Sequence, residues 1–114
     1  MIRRKEEMKL TSKNMRGGNG EIQMTHHLAP EELSHGRLFS TVTVEKGNSI
    51  GYHEHHNETE YYLILSGEGI VEETEGDSIV KAGDLVITGN GQGHAIRNEK
   101  DDPLVFIALI VLDD

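Results

Sequence analysis

The sequence predicts an all-β barrel or sandwich, and three observations carry that reading. From residue 37 onward apolar and polar residues alternate with period two rather than at helical spacing. The alternating runs are short and recur about every 8 to 12 residues. Glycine turns stand between them, drawn from 13 glycines in 114 residues, and only one short segment carries helical signals.

Residues 1–20 are polar and end in Arg16-Gly17-Gly18-Asn19-Gly20. That run is expected to be a flexible loop, because glycine loses most freedom in regular structure. It lacks the lysine and following helix of a phosphate-binding loop. Residues 21–28 read as a first strand with Ile22, Met24 and His26 on one face. His26 and His27 form a polar edge there, with His26 an outlying candidate for the pocket. Residues 29–33 place Pro30 and two glutamates where a short helix would open, and His35-Gly36 ends it. Residues 37–45 set Leu38, Ser40, Val42 and Val44 against Phe39, Thr41 and Thr43.

Lys46-Gly47-Asn48 is a turn, followed by the strand that bears the histidines. On residues 60–66, Tyr62 and Ile64 share the parity of Glu60, whereas Tyr61, Leu63 and Leu65 face the other way. Hairpin turns are expected at Ser66-Gly67-Glu68-Gly69 and at Glu75-Gly76-Asp77. Residues 79–82, 85–88, 94–98 and 104–112 bring the total to about nine strands. The chain thus divides into an N-terminal arm, residues 1–36, and a barrel, residues 37–114.

Charge narrows the function. The net charge is −9, from 20 acidic and 11 basic residues. Nucleic-acid binding needs clustered Lys and Arg against phosphate, and the one basic cluster, Arg3-Arg4-Lys5, runs straight into Glu6-Glu7. With no cysteine there is no disulfide framework. The charged start lacks an apolar stretch behind it, and no segment approaches the length of a membrane span. The expectation is a soluble cytoplasmic protein with neither nucleic acid nor membrane as partner.

The chemistry concentrates in residues 47–67. Strand alternation points His53 and His55 the same way, about 7 Å apart along the chain. Glu60 lies beyond the polar turn Asn57-Glu58-Thr59 and is available as a third ligand, and His94 as a fourth. Three imidazoles and a carboxylate suit one divalent transition metal, Mn, Fe, Ni, Cu or Zn, with Mn or Fe slightly favoured. Such an ion would carry a net local charge of about +1 and, if octahedral, keep two open positions. Those positions fit a carboxylate, a hydroxy acid, an enediol or dioxygen. Tyr62, in line with Glu60, is the candidate catalytic residue, and Gln92 a weaker one. Tyr52 and His56 have the opposite parity and belong outside the cavity. Arg97, opposite in parity to His94, reads as an outer charge.

These residues carry a family resemblance. Gly47-x5-His53-x-His55-x4-Glu60-x6-Gly67 resembles the first cupin motif at every anchor, and Gly83-x5-Gly89-x-Gly91-x2-His94-x3-Asn98 resembles the second. Gly89 stands where the family usually has proline, which predicts a looser turn before the fourth ligand. The resemblance implies a double-stranded β-helix, or jelly-roll barrel, with the metal inside. Met15 to Gly18, Ile50 to His55 and Gly89 to Ile96 further resemble small oxalate-decarboxylase-like cupins, which implies manganese. The implied reaction does not follow, because those enzymes grip substrate with an arginine where this chain has Ile50. A metal-dependent enzyme acting on a small oxygenated metabolite is therefore expected, as a lyase or decarboxylase, dioxygenase or isomerase. The alternative is a non-catalytic ligand-binding module. Many cupins of this size pair through edge strands, so a homodimer is expected as well.

Overall fold

The computed structural model describes all 114 residues and is almost wholly β. Ten strands form two antiparallel sheets. They are β1 (Lys9–Lys13), β2 (Ile22–His26), β3 (Gly36–Val44), β4 (Ser49–Glu54), β5 (Glu58–Ser66), β6 (Glu68–Glu73), β7 (Gly76–Lys81), β8 (Leu85–Gly89), β9 (Gly93–Arg97) and β10 (Leu104–Leu112). One sheet has the order β1-β2-β3-β10-β5-β8 and the other β4-β9-β6-β7. Successive stretches of chain cross from one sheet to the other, as in a double-stranded β-helix.

Period-two alternation builds the interior directly. On β10, Leu104, Phe106, Ala108 and Ile110 are buried while the residues between them are more exposed. Val42 and Val44 on β3 and Ile64 on β5 meet them from the same sheet, and Ile50, Val71 and Ile96 close the interior from the other. Each large apolar side chain buried here contributes roughly 1.5–3 kcal/mol. A one-residue slip of any strand would turn its apolar set outward, so the pattern also fixes register.

Four expectations change. The N-terminal segment contains a strand, β1, which pairs with β2 from Lys9↔His26 to Lys13↔Ile22. As an exposed edge strand it buries neither face and carries no alternation to read. The run 66–69 is no hairpin, because it carries the chain from β5 in one sheet to β6 in the other. Gly67 makes that crossing at φ 79°, where a Cβ would strike the Pro103 carbonyl. The helical signal at Pro30 yields one 3₁₀ turn, Pro30–Glu32.

The fourth change concerns the glycine run after Met15, which is a strap lying on β4. Met15 O accepts hydrogen bonds from Gly18 N at 3.0 Å and Gly51 N at 3.1 Å, and Asn19 O accepts one from Ser49 N at 3.0 Å. Two glycines permit the contact. A Cβ on Gly51 would collide with the Arg16 carbonyl, and one on Gly18 with the Ser49 carbonyl.

Candidate metal centre

Three strands and one turn deliver the four predicted ligands to one point. His53 on β4 pairs in register with His94 on β9. Glu60 comes from β5 in the opposite sheet, beside Thr88 of β8. His55 lies just past the end of β4, where Asn57 at φ 62° turns the chain back into β5. Asparagine tolerates that left-handed conformation better than most residues. The four ligand atoms lie within 4.8 Å of one another, and a metal among them would join the two sheets.

Hydrogen bonds on the far side of each ring fix its orientation. His53 Nδ1 donates to the Gly51 carbonyl at 2.8 Å, and His55 Nδ1 donates to Glu58 Oε2 at 2.6 Å. His94 Nδ1 lies 2.8 Å from Thr88 Oγ1. A carbonyl and a carboxylate can only accept, so in their neutral form His53 and His55 turn a bare Nε2 lone pair inward. His55 Nε2 and His94 Nε2 are 3.1 Å apart, and His94 Nε2 and His53 Nε2 are 3.2 Å apart. Glu60 Oε1 lies 2.9 Å from the Nε2 of both His55 and His94. Buried acceptors this close repel one another unless a cation stands among them. The donor set therefore fits a divalent transition metal.

Titration behaviour reflects the same crowding. Burial works to raise Glu60, but the three imidazoles outweigh it and hold the carboxyl well below its usual range. The Glu60 carboxylate raises His55, while burial lowers His94. Glu58 falls to about 2, chiefly through Arg37. Arg37 Nε and Nη2 each donate to that carboxylate at 2.7 Å. Arg37, Glu58 and His55 thus form a relay that orients one ligand, the outer arrangement common around metal-bound histidines.

Sequence reasoning missed this relay. Glu58 read as part of a polar turn, yet it opens β5 with the parity of Glu60, and that parity was the available signal. Arg37 and Thr88 gave none. Tyr62 is buried against the site as expected, its ring stacked on His94 at a 4.8 Å centroid separation. Burial, and then the Glu60 charge, push its phenol far above the ordinary range. His56 is exposed and pairs with Glu54, Tyr52 lies over Gly93 outside, and Arg97 meets Glu72, Asp77 and Glu99 on the surface.

Two expectations fail here. Gln92 turns its side chain toward Gly89 N within its own loop and does not reach the cavity wall. The Gly89 turn is also not loose. His55 N donates to Gln92 O at 3.0 Å and Gly91 N to His55 O at 2.8 Å, and a Cβ at Gly89 would press on Thr59.

Three of the ligands, His53, His55 and Glu60, line a cavity of about 400 Å³ that reaches the strap at Arg16. Met24, Leu38, Val42, Ile50 and Ala108 supply apolar wall. His26 also lies there, but both ring nitrogens are engaged, one with Ser40 Oγ and one with Thr11 Oγ1, each at 2.9 Å. It stitches β1, β2 and β3 together.

Residues 40–111 match the family model of the cupin domain. The chain belongs to the cupin family. It is 42% identical over 100 residues to an oxalate-binding protein of Thermotoga maritima, covering 87% of this cupin and 83% of that protein. It is also similar to the crystal structure of a predicted oxalate decarboxylase from Thermotoga maritima. That match has a TM-score of 0.91 at 39% identity and covers 98% of this chain and 99% of that one. A double-stranded β-helix protein from Klebsiella pneumoniae shares the fold at a TM-score of 0.72 and 23% identity, over 88% and 84% of the two chains.

Proposed function

We propose that this cupin is a metal-dependent enzyme acting on a small oxygenated acid chelated to a divalent ion on His53, His55, Glu60 and His94. The observation that supports it most is the convergence of three imidazole Nε2 atoms and one carboxylate, with His53, His55 and Glu60 on the lining of a cavity. A bound ion, Mn or Fe ahead of Ni, Cu or Zn, would supply a Lewis-acid or redox centre there. The chain's residues do the rest. Gly51, Glu58 and Thr88 hold the imidazoles in orientation, and the apolar wall excludes bulk water. Tyr62, kept protonated by burial, donates a hydrogen bond to a ligand oxygen rather than serving as a base.

Capture without turnover is the second reading, and one observation favours it. With His26 engaged on both nitrogens and Tyr62 held at the Glu60 carboxylate, the wall outside the ligand set carries no uncharged acid or base free of a protein partner. The relative from Thermotoga maritima is named for binding oxalate.

Calorimetric titration of manganese-loaded protein with oxalate, followed by carbon NMR of the mixture, tests both readings. Binding with a new product supports the enzyme, binding without one supports capture, and failure of both oxalate and a 2-hydroxy acid to bind removes the chelation proposal. The proposal includes a cytoplasmic protein that forms a homodimer. The support for pairing is a sheet face rather than an edge: Leu63, Leu65, Leu85 and Ile87 are exposed together on the outer side of β5 and β8.

A further inference from the structure

The cavity has a second end. Its rim is formed by the last residue of β1 and by the strap, which bring Lys13 and Arg16 to the lining. Glu60 is the only acidic side chain on that lining, in a chain with 20 acidic residues. Six other basic residues, Arg3, Arg37, Lys46, Lys81, Arg97 and Lys100, pair with carboxylates, and the remaining three, Arg4, Lys5 and Lys9, lie off this lining. Neither Lys13 nor Arg16 enters any ion pair. Arg16 is not loosely placed, since it stands at φ 56° with its carbonyl against Gly51, two residues from His53. Asn14 Nδ2 also ties the strap, donating to Gly18 O at 2.6 Å.

Volume and polarity complete the picture. At roughly 30 Å³ per water, the cavity has room for on the order of a dozen waters, several times what a two-carbon diacid fills. Met24, Leu38, Val42, Ile50 and Ala108 give the lining an apolar part, beside His26 and Arg37, which are engaged with Ser40 and Thr11 and with Glu58. With a divalent ion on its ligands, Glu60, Lys13 and Arg16 leave a net charge of about +3 around this space by counting.

We propose that Lys13 and Arg16 form a distal anion subsite. The fitting ligand has a metal-chelating acid head, a short apolar middle and a second anionic group that reaches the strap. The inference rests on the chelation reading above and names its substrate class: an elongated dianion rather than oxalate. Arginine offers a planar fork to carboxylate or phosphate, and lysine adds a point charge.

The test uses manganese-loaded protein and four probes in calorimetry. 2-Hydroxyglutarate is compared with 2-hydroxypentanoate, which replaces the far carboxylate by methyl, and 3-phosphoglycerate with glycerate. In the wild type the charged member of at least one pair binds about tenfold tighter, the worth of one charge-assisted hydrogen bond. Which pair shows it tells carboxylate from phosphate. Arg16→Asn, with a residue that tolerates positive φ, and Lys13→Gln bring that ratio close to one. An unaltered melting temperature shows that the fold is intact.

A ratio near one in the wild type, or one that survives both substitutions, overturns the subsite while leaving chelation standing. If the 2-hydroxy acids and oxalate all fail to bind the loaded protein, the chelation reading falls and takes the subsite with it.

Discussion

The two ends of the cavity are built by opposite means. At the floor, four side chains from rigid strands and one tight turn crowd within 4.8 Å, and each imidazole is held from behind. At the rim, two exposed cations stand at the end of β1 and on a strap that is fixed to β4 through its backbone. The floor is organised to hold an ion with little loss of chain entropy. The rim is organised to stay adaptable while its charge remains in place. Pre-organisation in this protein is thus a matter of side chains at one end and of main chain at the other.

The largest effect belongs to the floor. His94→Ala is expected to remove nearly all bound metal and the part of thermal stability that metal supplies, measured by elemental analysis and melting with and without chelator. Retained stoichiometric metal would break the contrast. Gly51→Ala addresses the rim. Its Cβ cannot coexist with the Arg16 carbonyl, so the strap must lift, at a cost of about 2 kcal/mol or more of stability in denaturant. The variant should still load metal, because the Gly51 carbonyl that anchors His53 is retained.

Glu58→Gln sharpens the account of the floor. It weakens the acceptor behind His55, and metal affinity should fall roughly 10- to 100-fold in a competition titration with a chelator dye. Arg37→Met, one step further out, should cost less. If the two were equal, the relay would be a packing unit rather than a graded electrostatic one. The smallest effect lies outside the cavity. Ile87→Lys on the outer sheet face should convert the proposed dimer to a monomer in light scattering, with metal content unaltered, and a wild type that is already monomeric would remove the pairing proposal.

The same contrast explains what was legible in the sequence. His53, His55, Glu60 and His94 could be read because strand parity and short spacings constrain them, and Tyr62 because it shares a strand with Glu60. The burial of Phe106, Ile64 and Val42 followed from alternation alone. The supporting residues were less visible. Arg37 lies 21 positions from Glu58, and only β3–β10–β5 pairing brings them together. The glycines of the strap signal freedom in sequence, whereas in the fold Gly18 and Gly51 let two backbones touch. β1 escaped notice because a strand exposed on both faces has no hydrophobic period. Ser66 to Gly69 looked like a hairpin because turn residues do not reveal which sheet the next strand joins.

The central claim is that the floor of the cavity is a metal site. Elemental analysis of the untagged protein, purified without chelator, tests it most directly. The account predicts close to one divalent transition ion per chain, lost in His94→Ala. Absence of metal that persists after reconstitution with manganese, iron, nickel, copper and zinc would contradict it.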